Sequence, residues 1–205
     1  MLTSCDDSSL VVDRLCDQTG GRNAAVSCFY LDFAARKEHS ATNVLGSLLK
    51  QMVSRMERIP EEISQAFQQQ AMNIGGLRPQ LGNIVRMLQV ITSLRPTFMV
   101  IDALDECSGA QRARLLNSLK QILERSPDTR IFVTGRPHIL AEIEKRLAGH
   151  VQSVSISPTR NDITRYLRIK FDEDEMPDVM DESLEEDILE KIPENASKMY
   201  VEQWC

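Results

Sequence analysis

The sequence predicts an α/β fold built on a mainly parallel sheet, and three observations carry the prediction. Short apolar runs alternate along the chain with longer segments of helical period. The two middle runs, residues 97–102 and 130–134, are nearly continuously apolar, as strands covered by helices on both faces are. Three helical stretches separate the first apolar run from the second, so consecutive strands are joined by helices rather than tight turns.

Taken in order, a first helix is expected over residues 9–16, with Gly20 and Gly21 where it ends, and a first strand over residues 25–33. Ser40 and Thr42 are polar starters for a helix whose Val44, Leu45, Leu48, Leu49, Met52 and Met56 follow the i, i+3, i+4 rule. Pro60 suits the first turn of the next helix, with Ile63, Ala66 and Phe67, and Gly75 and Gly76 mark its end. Another apolar stripe follows at Leu81, Ile84, Val85, Leu88 and Ile91. The methionines in this region fall on the apolar stripes and read as core fillers.

The second strand, residues 97–102, precedes Ser108 and Gln111, a polar-x-x-amide pattern that opens a helix with Leu115, Leu116, Leu119, Ile122 and Leu123. After the third strand, residues 130–134, a proline opens a helix with Ile139, Leu140, Ile143 and Leu147 that closes at Gly149. A fourth strand is expected over residues 151–156. Thr159 with Asp162 and Ser183 with Glu186 are the starts of two further helices, and no repeat of solenoid period is visible.

Composition narrows the function classes. A hydrophobic fraction of 42% and a charged fraction of 26% are globular values. No apolar run reaches the roughly 20 residues that span a bilayer, and the start MLTSCDDSS lacks the features of a signal peptide, so no membrane and a cytoplasmic location are expected. The five cysteines stand singly, without metal-ligand spacing. Net charge is −6 and the basic residues form no stripe, which argues against nucleic acid as a partner. Acidity gathers between Asp172 and Asp187, with seven Asp or Glu residues before Ser183 alone, and reads as a solvated linker rather than an interaction tail.

The segment TFMVIDALDEC, residues 97–107, delivers Asp102, Asp105 and Glu106 at the end of a buried strand, where ligands of open α/β sheets bind. Buried carboxylates need a cation or hydrogen bonds to compensate them, and magnesium, which arrives with nucleotide phosphates, is the natural ion. The alternative is that Asp102 caps the turn while Asp105 and Glu106 face water. The segment RIFVTGRPH, residues 130–138, brings Thr134 and Arg136 to a strand end on the same side. An arginine there can meet a terminal phosphate with forked donors, or it can fasten the crevice by pairing with Asp or Glu and take no ligand.

Together the two segments resemble the Walker B and sensor 1 motifs of NACHT domains in the STAND group of P-loop NTPases. The chain is also similar to the nephrocystin-like NACHT domains of large fungal proteins that often carry ankyrin repeats. AVSCFYLDF, SATNVLGSLLKQM and VSISPTRNDITRYL extend the likeness from about Leu10 to about Lys198. The resemblance implies a P-loop NTPase-like sheet, magnesium with ATP or GTP, Asp102 at the metal, Asp105 and Glu106 as the catalytic acids that polarise water, and Thr134 and Arg136 at the nucleotide phosphate. Glycine often stands in the family where this chain has Ala103.

One departure is large, because no G-x-x-x-x-G-K-[ST] loop occurs in the sequence. The resemblance therefore implies a sheet lacking the strand that leads into that loop, leaving a gap between the strands at 130–134 and 151–156 or forcing them to pair. The expected division is a partial NACHT nucleotide-binding domain at residues 1–171, an acidic linker at 172–183, and the start of a helical region with a loose tail, including Trp204, at 184–205. The functional expectation is a truncated nucleotide-binding signalling switch with weak nucleotide binding and negligible hydrolysis in isolation. The competing expectation is a non-enzymatic module or remnant that self-associates or pairs with intact NACHT proteins.

Overall fold

In the computed structural model, residues 4–19, 24–35, 39–72, 79–156, 158–173, 181–196 and 201–204 are described. Three strands, β1 (Ala25–Tyr30), β2 (Thr97–Asp102) and β3 (Thr129–Gly135), form the predicted parallel sheet. Ala25 pairs with Thr97 and Thr97 with Thr129, so all three strands end at one rim. Flanking helices complete an α/β fold that accords with a partial P-loop NTPase-like architecture. They are α1 (Ser4–Thr19), α2 (Ala41–Ser54), α3 (Glu61–Met72), α4 (Leu81–Leu94), α5 (Gly109–Arg125), α6 (Leu140–Arg146), α7 (Arg160–Asp172) and α8 (Glu182–Ala196).

The apolar stripes meet where the pattern predicts. Leu45, Leu48 and Met52 of α2, Ile84, Leu88 and Ile91 of α4, and Leu115 and Leu119 of α5 are fully buried with Met99 and Ile101 of β2. A buried leucine or isoleucine removes enough apolar surface to stabilise by roughly 1.5–3 kcal/mol, so these stripes hold the sheet rigid beneath its rim. The outer edge of β1 is covered by side chains of α2. The Gln51 amide donates to the Cys28 carbonyl at 2.7 Å and accepts from its N–H at 3.1 Å, and Arg55 donates to the Val26 carbonyl at 3.1 Å. These contacts satisfy backbone groups that an exposed edge would leave open to aggregation.

Several local expectations are corrected. β1 stops at Tyr30 because Asp32 turns the chain, its carboxylate accepting from the Ala34 N–H at 3.0 Å, and Phe33 is exposed. Ser108 is the N-cap of α5 but makes no side-chain cap bond, and Gln111 accepts instead from the Ala41 N–H at 3.2 Å, joining two helix starts. α8 is opened by Asp181, which accepts from the Leu184 N–H at 2.7 Å, so Ser183 lies inside the helix. By contrast, Ser40 caps α2, and Thr159 with Asp162 forms the complete capping box of α7. Gly20, Gly21, Gly75, Gly76 and residues 174–180 of the acidic segment lie outside the described residues.

The largest correction concerns the far side of the sheet. β4 (Ser153–Ile156) neither pairs with β3 nor faces an empty gap, because a fifth strand, β5 (Val201–Trp204), lies between them, antiparallel to both. The strand order is β1-β2-β3-β5-β4. The segment expected to be a loose tail is thus part of the sheet. Four polar and apolar residues in mixed order carry no strand periodicity, which is why the pattern gave no warning.

Candidate functional site

β2 ends in Asp102, whose side chain is buried, with the residue only 1% exposed. Ala103 then turns the chain in the left-handed region, φ 53° and ψ 47°, and a short 3-10 turn follows at Leu104–Glu106. Leu104 is fully buried and anchors that turn in the core, which leaves Asp105 and Glu106 beside the end of β3.

Thr134 joins the two strand ends. Its hydroxyl donates to Asp102 Oδ1 at 2.6 Å and accepts from the Ala103 N–H at 2.9 Å. One side chain thereby fixes the buried carboxylate and the strained residue behind it. Gly135 comes next, and a Cβ built there would stand 2.7 Å from Ile139 Cδ1, so the bare backbone lets the Ile139 side chain pack against the end of β3.

Arg136 closes the cluster. Its N–H donates to Asp105 Oδ1 at 3.3 Å, its Nε lies 3.4 Å from Asp105 Oδ2, and its Nη2 lies 3.6 Å from Glu106 Oε1. The two acids are 5% and 17% exposed at their side chains, whereas the Arg136 side chain is 68% exposed. The pairs are long and the guanidinium is mostly solvated, so its remaining donors stay within reach of an incoming anion while the acids keep their cation.

Asp102, Asp105, Glu106, Thr134 and Arg136 therefore stand together on one rim, at the carboxyl ends of adjacent parallel strands. The cluster holds acids next to a forked cation donor, an arrangement able to meet a phosphate at Arg136 and a hard cation at the carboxylates. No group of three or more His, Cys, Asp or Glu side chains forms a metal cage among the described residues. Magnesium is commonly held by one or two carboxylates with water and substrate phosphates completing its shell, and the donor set at Asp102 fits that manner of binding.

Neighbouring residues that the motifs did not single out support the rim. Arg112 donates to the Cys107 carbonyl at 3.0 Å and to Glu142 at 2.8 Å, tying the end of the acidic turn to α6. His39 is 5% exposed; its carbonyl accepts from the Cys107 thiol at 3.4 Å, its Nε2 accepts from the Asp32 N–H at 3.4 Å, and its Nδ1 has no partner among the described atoms. An arginine on the polar side of a helix reads as solvated, so spacing held no signal for Arg112. Two grooves lie away from the rim. One of about 680 Å³ is bordered by Ile63 and Met87, and one of about 910 Å³ by Phe98 and Phe132. Both are chiefly helix-packing or sheet-face surface and lack the acid and arginine chemistry.

The profile of the family described as nephrocystin 3, N-terminal matches residues 8–136 of the 205. The chain belongs to the nephrocystin 3 N-terminal family. The matched span contains β1, β2, β3 and the helices between them, and it ends at Arg136, so every residue of the cluster falls inside it. No curated protein and no solved structure matches the chain. No helix among the described residues is long and apolar enough to cross a membrane.

Proposed function

We propose that this nephrocystin 3 N-terminal family chain is part of a nucleotide-dependent signalling switch of the NACHT type, within the STAND P-loop NTPases, as in the fungal nephrocystin-like proteins that carry ankyrin repeats. The observation that carries the reading is the meeting of Asp102, Asp105 and Glu106 with Arg136 on one strand-end rim. In this reading Arg136 binds the terminal phosphate of ATP or GTP, Thr134 keeps Asp102 in place, and Asp102 holds the magnesium that accompanies the nucleotide. That ion supplies charge neutralisation at the phosphates. Asp105 and Glu106 hold Arg136 while its remaining donors take the phosphate, and they orient water.

The 205 residues contain no glycine-rich phosphate loop with its lysine, so the backbone N–H cradle that dominates phosphate affinity is not supplied by this sequence. Binding by this chain alone is accordingly weak and hydrolysis negligible, and its place of action is the cytoplasm. Titration with magnesium and a fluorescent ATP or GTP analogue tests both halves. The expected result is a Kd above roughly 100 µM, less than about −5.5 kcal/mol of binding, that weakens further in Arg136→Ala. Micromolar affinity would overturn the weak-binding half, and indifference to Arg136→Ala would overturn the site.

A second reading is a non-enzymatic module that self-associates or joins intact NACHT proteins. It is favoured by the mutual pairing of Arg136 with Asp105 and Glu106, which satisfies the cluster without a ligand. Size-exclusion chromatography and pull-down with an intact relative separate the two, since a monomer indifferent to such partners has no modular role.

A further inference from the structure

Two connections meet at the rim, and each is seated by core residues of its own. The acidic turn and the start of α5 follow β2 and are seated by Leu104 and Cys107, both fully buried. The stretch from β3 into α6 is seated by Ile139, which is buried and packs on Gly135. Salt bridges cross between these connections at two places, with their polarity reversed from one to the other. At the outer place the first connection supplies the acids, Asp105 and Glu106, and the second supplies Arg136. At the inner place the first supplies the arginine, Arg112 in the first turn of α5, and the second supplies Glu142 in the first turn of α6.

Geometry separates the two places. The outer pairs are 3.4 and 3.6 Å long and the Arg136 side chain is mostly solvated, whereas the inner pair is 2.8 Å long between side chains only 14% and 26% exposed. Both Glu142 oxygens are engaged there, Oε2 by Arg112 and Oε1 by Arg146 at 2.9 Å, and Arg146 reaches on to Asn117 of α5. Arg112 also donates through Nη1 to the Cys107 carbonyl at 3.0 Å. One planar group therefore grips the last residue of the acidic turn and the first turn of α6 at once. A fork held at both ends leaves little play between the segments it joins, while a long, exposed pair permits rotation.

We propose that Arg112 is a positioning residue of the rim: its guanidinium sets the separation of the acidic turn from the stretch between β3 and α6, and thereby the place of Arg136 relative to Asp105 and Glu106. The inner clamp is the pivot. Arg136 turns its remaining donors toward an anion about a fixed base, and the acids do not drift away from it. Groups that recognise a ligand work when held within about 0.5 Å of their productive geometry, so a loosened pivot weakens anion capture although Arg112 acts only through Cys107 and Glu142. The anion half of this inference rests on the nucleotide reading above; the spacing half stands on the ligand-free geometry alone.

The test uses the whole chain, first without nucleotide. It compares wild type with Arg112→Gln, Arg112→Lys and a control, Arg114→Gln, which removes an exposed arginine from the same helix. Backbone amides are followed by nitrogen–proton correlation NMR, in which the Arg136 N–H reports directly because it donates to Asp105 Oδ1. The expected outcome is that both Arg112 variants shift the Arg136 and Glu106 cross-peaks and speed exchange of the Arg136 amide at least about threefold. Lysine fails as glutamine does because a single ammonium cannot reproduce the fork. Unmoved Val100 and Ile101 cross-peaks show that the variants are folded, and Arg114→Gln leaves the rim peaks in place. Arg136 and Glu106 peaks that stay put in Arg112→Gln overturn the positioning role, and an Arg112→Lys spectrum equal to wild type overturns the role of the fork. Magnesium–ATP is then titrated at the same amides, where Arg112→Gln is expected to raise the Kd at least about threefold. An unchanged Kd overturns the anion half. A wild type that binds no magnesium–ATP ends the nucleotide reading and leaves the ligand-free result standing.

Discussion

Ala103 is the strained residue of the rim. Its φ of 53° and ψ of 47° lie where an L side chain costs about 1–2 kcal/mol, against a loss of roughly 0.5–1 kcal/mol for the extra freedom of an unfolded glycine. Ala103→Gly is therefore expected to raise stability by about 0.5–1 kcal/mol, read as a higher urea midpoint at unchanged slope. A lower midpoint would show that the alanine methyl packs more usefully than its backbone is strained. Thr134 carries the opposite expectation, because it bridges Asp102 Oδ1 and the Ala103 N–H. Thr134→Val removes the hydroxyl that bridges Asp102 and the Ala103 N–H and should cost about 1–3 kcal/mol in urea unfolding, whereas Thr134→Ser keeps the hydroxyl and should cost less than half of that. Equal losses in the two variants would assign the effect to the methyl group instead. The five rim residues were legible in the sequence because an apolar run ending in acids or in Thr-Gly-Arg announces a strand end. Ala103 and Gly135 were not, since a left-handed turn and the close packing of Ile139 on Gly135 belong to the assembled backbone rather than to residue type.

At the scale of elements, the acidic turn depends on the junction of α5 and α6. Glu142 lies 2.8 Å from Arg112 and 2.9 Å from Arg146, while Arg112 also holds the Cys107 carbonyl. Burial pushes the Glu142 carboxyl up, but hydrogen bonds and charges from Arg112 and Arg146 outweigh it and hold it below its ordinary range. A carboxylate with a lowered folded pKa contributes stability that is present above its unfolded pKa of about 4.3 and is lost as pH falls through the folded value. Glu142→Gln is accordingly expected to cost about 1–2 kcal/mol at neutral pH, and that difference from wild type should shrink in unfolding curves taken below about pH 4. A difference that persists unchanged in acid would place the role of Glu142 in packing. Helices with apolar stripes, such as α2, α4 and α5, were readable because burial of one face repeats every turn. The start of α5 misled because Gln111, suited by spacing to a local cap, is drawn to the Ala41 N–H by the packing of α2. β5 was unreadable for a deeper reason: a four-residue strand between two edges is specified by the slot it enters and hardly by its own residues.

Across the whole molecule, the described residues divide into a firmly built half and a loosely joined one, and the boundary falls near the end of the family match at Arg136. β2 has strand partners on both edges, and Met99, Val100 and Ile101 are fully buried, so its amides are released only when the core unfolds. β4 pairs only with β5 among the described residues, and Val154 is 51% exposed, so a local opening that frees one short strand suffices to release its amides. Hydrogen exchange followed by mass spectrometry should therefore find residues 153–156 exchanging at least about 100-fold faster than residues 97–102, a gap of roughly 2.7 kcal/mol in opening free energy. Mild destabilisation of the core, for instance by low urea, should speed exchange in β2 while barely changing β4, because only the β2 amides report the global equilibrium. Protection in β4 equal to that in β2 would mean that the antiparallel strand binds the sheet into one cooperative unit, and the division into two halves would have to be abandoned.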